Sequence, residues 1–261
     1  MLTSDSTRRT TLLQTRTPHD AGAADRRRRS RLLLLTTWFL LSLWPTVGSA
    51  TELMDMEEII DEARLTFARF TGHPSMTWFR ERARNARAVF IAPRVSRASY
   101  LVGATWGTGV LLVWDPITGR WSEPAFYTLT GASFGLQIGA LTSEIVALAT
   151  DDQEAADMLD GAFTLGISGL IGIGRMGGGI SGSLETTSGT GFVTVATASG
   201  LYAGVAVGGT LVLVRDGANE LYYGQPVELS DLKEGRVRQW YSERLMRTVT
   251  DATAGAQEPL P

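Results

Sequence analysis

The hydrophobic pattern changes period partway along the chain. From 51 to 70, Leu53, Met56, Ile60, Ala63, Phe67 and Phe70 recur at steps of three and four, which is one face of an α-helix. Glu52, Asp55, Glu57 and Glu58 open this segment and Arg64 and Arg69 close it, the order the helix dipole favours. Gly72 and Pro74 end it. A second helix is predicted over 75–86, with Ser75 as its cap. Past Ala88 the period falls to two. Strands are predicted over 88–91, 99–105, 110–114, 125–129, 133–141, 144–149, 164–173, 191–198, 201–207 and 210–215. Asp115, Pro116 and Gly119 supply turn chemistry between two of them, and Gly208-Gly209 predicts a tight hairpin. A short helix is expected over 151–159 and a last one over 232–249. Strands in hairpin order without crossover helices define an α+β class. The expectation is a strongly curled antiparallel sheet or barrel of about ten strands, with two N-terminal helices, one short mid-chain helix and a C-terminal helix.

The start of the chain follows a different rule. Residues 26–31 read Arg-Arg-Arg-Arg-Ser-Arg, 32–43 are apolar, and Gly48-Ser49-Ala50 closes the segment. A basic stretch, a short apolar stretch and small residues together have the form of a secretory signal over about 26–50. The apolar run falls short of the roughly twenty residues a membrane span needs, although a retained anchor is the competing reading. The expected division is therefore 1–50 as extension and signal peptide, 51–250 as one domain and 251–261 as a polar tail. Within the domain, 51–87 form helices, 88–228 a β-rich core and 229–250 the C-terminal helix. The expected location is exported and periplasmic, and possible attachment is peripheral to a membrane.

Charge and composition narrow the chemistry. Across 261 residues there are 24 basic and 27 acidic groups, two His and no Cys. Disulfides, thiol nucleophiles and Cys-based metal sites are excluded. Residues 1–50 hold eight Arg and three acids, so the remainder carries 16 basic against 24 acidic groups, a net −8. That balance disfavours nucleic acid as a partner. Beyond residue 50 the one His is His73, in a Gly-His-Pro turn.

Three motifs resemble chemistry without the context it needs. Gly131-Ala-Ser133-Phe-Gly135 has the letters of an esterase elbow, but Ser133 opens a strand pattern and no His follows it. Gly172-Ile-Gly174-Arg-Met-Gly177 spells a dinucleotide fingerprint, yet more glycines follow where a helix must begin. Asp151, Asp152, Glu154, Asp157 and Asp160 suit a solvated helix face better than a metal cluster. No catalytic residue, metal ligand or cofactor is expected, and the protein is read as not an enzyme. Fifteen Gly between 161 and 209 leave two readings open: tight packing in a small barrel, or space for an acyl chain.

One segment runs against the acidic balance. Arg80, Arg82, Arg84, Arg87, Arg94 and Arg97 are joined by a single acid, Glu81. Arg80, Arg84 and Arg87 share a helical face, and Trp78 and Phe79 precede them. Guanidinium forks suit phosphate, and aromatic rings suit headgroup depth. The competing reading is a solvated face whose Arg pair with the acids of 52–61.

Several stretches together resemble the SYLF domain, the Ysc84-like actin- and lipid-binding family. They are 76–80, 86–93, 100–113, 119–127, 133–139, 163–166, 200–204 and 222–224. Of these, Tyr100-Leu-Val-Gly-Ala-Thr-Trp-Gly-Thr-Gly109 and Ser133-Phe-Gly-Leu-Gln-Ile-Gly139 are the most telling. The chain departs from the family in using Arg87 and Arg97 where Lys is common, and in its 172–182 stretch. The resemblance implies a bacterial exported member that binds anionic phospholipid or a membrane surface through its helical, basic N-terminal part, with actin an unlikely partner. The headgroup-binding residues are then Arg80, Arg82, Arg84, Arg87, Arg94 and Arg97, and the membrane-contacting apolar residues are Phe67, Phe70, Trp78 and Phe79. The alternatives are a periplasmic carrier of an apolar or lipid ligand in the glycine-lined core and a structural or interaction protein of the cell envelope. The sequence leaves the oligomeric state open.

Overall fold

A computed structural model of the chain describes residues 45–165, 171–176 and 193–254. Residues 26–44 of the expected leader, 177–182 of the divergent loop and 255–261 of the tail lie outside the described residues. The chain divides after Gly48 into two units, Met1–Gly48 and Ser49–Pro261, and the description concerns the second. Helix α1 (Pro45–Gly72) and helix α2 (Thr77–Arg84) flank a single 3-10 turn at Pro74–Met76. Among the described residues, no helix is long and apolar enough to cross a membrane.

Among the described residues the sheet is antiparallel and six-stranded. Its strands are β1 (Ala88–Asp115), β2 (Arg120–Trp121), β3 (Ala125–Ala149), β4 (Ala162–Leu165), β5 (Ile171–Met176) and β6 (Val193–Val214). The order is β2-β1-β3-β6-β4, and β5 also pairs with β6. The predicted class holds, but ten short strands merge into fewer, longer ones. Three predicted segments lie within β1 and three within β3, and three fall on β6 except for 191–192, which lie outside the described residues, and Arg215, which follows the strand. Gly208-Gly209 is not a hairpin. Both glycines lie inside β6 opposite Ser133 and Ala132, and a Cβ on neighbouring Gly131 would stand 2.7 Å from the Gly209 carbonyl. That close approach accounts for glycine at 131, whereas a Cβ at Gly209 would meet only Thr164 Cγ2 at 3.5 Å, an ordinary contact.

The long strands fold back on themselves. Val89 and Val110 belong to one buried cluster, yet 21 residues of extended chain would hold them about 70 Å apart. Contacts within β1 give the fold line. Trp114 N donates to Arg87 O at 2.7 Å, and Arg97 Nε donates to Thr105 Oγ1 at 3.0 Å. A Cβ at Gly107 would meet Arg94 O at 2.8 Å, and one at Gly109 would meet Ile91 O at 2.7 Å. Every pair is centred near Tyr100–Leu101. Leu101 there has φ 63°, and the register with β3 slips between Tyr100 and Val102. β3 pairs with both arms of β1, from Ala88↔Ala149 through Tyr100↔Ile138 and Val102↔Phe134 to Leu111↔Ala125. It therefore turns at the same level.

Each face of the folded ribbon near its ends has its own core. One packs Met56, Ile60, Phe67 and Phe70 of α1 and Phe79 of α2 against Ile91, Leu112, Phe126 and Val146. The other encloses Phe90, Tyr127 and Phe163, whose ring centroids lie 5.5–6.2 Å apart, beneath helix α3 (Asp152–Leu159). Asp151 caps α3, accepting from Glu154 N at 2.8 Å. This accounts for one acid of that run as a cap.

The C-terminal part departs most from expectation. Helix α4 (Asp216–Tyr223) was not expected from the hydrophobic pattern. The predicted 232–249 helix is two helices, α5 (Leu229–Lys233) and α6 (Glu243–Thr253), separated by a loop and a 3-10 turn at Trp240–Ser242. Gly235, at φ 67°, takes a conformation that breaks a continuous helix. Asn219 ties α4 to the sheet by accepting from Phe126 N at 2.8 Å.

Candidate functional site

The six arginines do not form one surface. Arg80 caps α1: its Nη1 donates to Thr71 O and His73 O, both at 3.0 Å, and its Nη2 to Thr77 Oγ1. The cation thus meets the free carbonyls and negative dipole of a helix end. Arg87 pairs with Asp152 at 3.5 Å. Arg94 bonds both Glu58 (3.2 Å) and Glu62 of α1, which raises its pKa through those side-chain hydrogen bonds. Arg97 is buried and bonded to Thr105. The expectation of a shared headgroup site over all six is therefore corrected for Arg97, whose guanidinium is committed inside the bend. Arg82 and Arg84 stand exposed on α2. Arg84 and Arg80 line a shallow cleft with Thr248 and Asp251 of α6.

The apolar set is corrected more sharply. Phe67, Phe70 and Phe79 are fully buried, and Phe70 packs on Phe79 with centroids 6.1 Å apart. The same spacing that makes them one helical face turns them toward the sheet. Trp78 is half-buried against the same core. None of the three Phe can meet a lipid surface while the domain is folded.

The fold instead exposes a different apolar group, at the bend. Tyr100 is 71% exposed, Phe134 67% and Ile138 56%, and Leu101, Val102 and Trp106 are also exposed. Tyr100 lies opposite Ile138 and Val102 opposite Phe134, so each pair shares a face of the ladder. Arg94 and Arg97 are the only charged residues on β1 before Asp115, and β3 carries none before Glu144. Alternation on β3 was legible in the sequence. That the face holding Phe134 and Ile138 lies beyond the helices was not.

The remaining motifs resolve structurally. Ser133 is buried in mid-strand without the strand–turn–helix elbow a nucleophile needs. Gly172 and Gly174 lie within β5, so through Met176 the motif is strand where the fingerprint needs a turn into a helix, and Gly177 lies outside the described residues. The aromatic core beneath α3 fills that part of the curled sheet, which argues against a carrier cavity there. Near the β1–β2 turn, Asp115 accepts from Ile117 N, Thr118 N and Thr118 Oγ1. Burial works against its carboxylate, but those bonds lower its pKa overall.

Sequence reasoning missed a cavity of about 730 Å³ between the β1–β2 turn and the loop from α5 to α6. Arg120, Lys233, Arg238 and Trp240 line it, with Glu123, Glu234 and Glu243. These residues are far apart in the sequence, and no local pattern joins them.

Comparison with known proteins agrees with the motif resemblance. Residues 130–252 match the family described as Ysc84, Las17-binding protein actin regulator. The SH3 domain-containing YSC84-like protein 1 of Rattus norvegicus is 29% identical over 146 residues, 56% of this chain and 43% of the relative. That of Xenopus laevis is 30% identical over 132 residues, 50% of this chain and 39% of the relative. LAS seventeen-binding protein 3 of Saccharomyces cerevisiae is 27% identical over 147 residues, 55% of this chain and 32% of the relative. The chain thus spans less than half the length of these curated relatives. No solved structure matches it significantly. The family description names an actin regulator, so setting actin aside as a partner finds no support. The match, which runs from within β3 through β6 to the helices after it, together with these relatives supports membership of the Ysc84-like, or SYLF, family.

Proposed function

We propose that the protein is an exported, non-enzymatic module that binds anionic phospholipid at a membrane surface. The observation that carries this reading is the bend bearing exposed Tyr100, Leu101, Val102, Phe134 and Ile138. Contiguous apolar exposure of this kind marks an interaction surface. At the bend the β1–β3 register skips Leu101 on β1 and residues 135–137 on β3, and those three β3 residues stay paired with β6, so most of the backbone there keeps partners, as a low-dielectric environment demands. Trp106 and Tyr100 supply the aromatic type that favours headgroup depth. Arg82 and Arg84 of α2 are exposed, and a basic residue near an anionic surface contributes about 1 kcal/mol. An expected leader at 26–50 is the basis for export.

Vesicle co-sedimentation tests the reading, using a chain that begins at Pro45 so that the basic leader cannot contribute. Binding to phosphatidylglycerol-containing vesicles is expected to weaken with salt and to be lost in Phe134→Asp/Ile138→Asp. Arg82→Glu/Arg84→Glu separates a guanidinium contribution from the apolar one. Wild-type binding by both double variants refutes the surface. Amino-terminal sequencing of secreted protein tests export. Co-sedimentation with filamentous actin tests the partner named in the family description.

A further inference from the structure

We infer that the cavity between the β1–β2 turn and the α5–α6 loop is a binding site for a phosphate monoester, either a lipid headgroup or a free metabolite-sized phosphate. Its volume, about 730 Å³, is on the scale of small-molecule sites, roughly 300–1,000 Å³. The wall holds three cations and three acids, which a simple count would balance to zero. The acids are committed elsewhere. Glu234 pairs with Arg236 at 3.0 Å, and Glu243 pairs with Arg247 at 3.1 Å. Glu123 is buried and accepts from Ser242 Oγ; burial raises its pKa, although Ser242, the Gln239 backbone and Arg238 oppose the rise.

The cations are not so committed. The side chains of Arg120, Lys233 and Arg238 make no hydrogen bond or ion pair among the described residues, and each residue lines the cavity. Lys233 senses Asp115 and Arg238 senses Glu123 only through their fields. Two guanidiniums and an ammonium around one concavity match a dianionic phosphate, since guanidinium forks bind its oxygens in pairs and Lys adds a point charge. Trp240, 78% exposed at the cavity wall, gives a flat apolar surface for the ester's carbon part. Lys233 is the only Lys in the chain.

The cavity lining shares no residue with the apolar bend: it is drawn from 118–123 and 233–246, the bend from 100–106 and 134–138.

Isothermal titration of the full chain uses glycerol 3-phosphate as the soluble probe. Flotation with phosphatidylcholine vesicles, with and without phosphatidic acid, is the lipid arm. Saturable binding of glycerol 3-phosphate identifies a free phosphate monoester as ligand. Binding confined to phosphatidic acid vesicles identifies a headgroup. In either case Arg120→Glu and Arg238→Glu are expected to weaken affinity about tenfold or more each, with an unchanged thermal transition because both side chains are exposed. Tryptophan quenching by the ligand is expected in wild type and to be largely absent in Trp240→Phe. Phe134→Asp is expected to retain phosphate binding, so failure of the bend as a membrane surface leaves this test intact. No saturable binding in either arm, or affinity unchanged in both Arg variants, overturns the inference.

Discussion

Gly109→Ala tests the fold-back of β1 directly. An added Cβ would stand 2.7 Å from Ile91 O and 2.7 Å from the Phe90 ring, contacts that require something to move. Ile91 is held in register opposite Val146. Phe90 is fully buried and packs edge-on against Tyr127 and Phe163. Neither neighbour can yield cheaply, so the cost is that of overpacking a filled core, about 1–3 kcal/mol. For a domain of this size each kcal/mol lowers Tm by about 2–4 °C. Urea unfolding followed by circular dichroism should show a lower midpoint with an unchanged slope. Gly217→Ala is the control. It lies in α4, and its Cβ would meet nothing within 4 Å, so it should stabilise by up to about 1 kcal/mol through backbone entropy. Wild-type stability in Gly109→Ala beside the expected gain in Gly217→Ala would refute the close approach of the two β1 arms.

Further outcomes follow from the same geometry. Phe67→Ala should cost about 3–5 kcal/mol in denaturant unfolding, and any loss of vesicle binding should track loss of fold; normal stability with selective loss of binding would return Phe67 to the membrane. Asn219→Ala leaves the buried Phe126 N–H without its partner and should cost about 1–3 kcal/mol, read from the urea midpoint. Glu123 has a folded pKa raised by burial, so between its ordinary and raised values the native state binds more protons than the unfolded chain. Stability should therefore fall as pH rises through that window. Glu123→Gln should flatten that slope across the mildly acidic range, and an unchanged slope would count against the assignment.

The sheet's existence was legible because period-two alternation survives bending. Its strand count was not, since a strand that folds without a break keeps its alternation on both sides of the fold. Leu101 at φ 63° is the clearest mark of the bend, and no Gly, Asn or Asp announces it. The first helix was legible from Met56 to Phe70, but the same spacing suited a core face and a membrane face equally. Only the sheet beneath it decides for the core. Helix α4 escaped notice because eight residues hold too few turns to show a period. Its one local sign is Gly224, which ends it at φ 70°, the left-handed cap glycine favours.

The arginine segment shows why a site built on charge was the least legible part. A run of six cations reads as one patch only while their partners are unknown. Arg80 is engaged by a helix end, Arg87 by Asp152, Arg94 by Glu58 and Glu62, and Arg97 by Thr105. The competing reading, pairing with the acids of 52–61, holds for Arg94 with Glu58, whereas Asp152 reaches Arg87 from a distant segment that sequence spacing does not indicate. The inverse holds for Arg120, Lys233 and Arg238. They lie among acids in the sequence, yet those acids are engaged elsewhere and the cations line one cavity. What predicts recognition is charge left without a partner after folding, rather than charge counted along the chain. By that measure the electrostatic centre of this domain moves from 80–97 to the turn after β1 and the loop before α6.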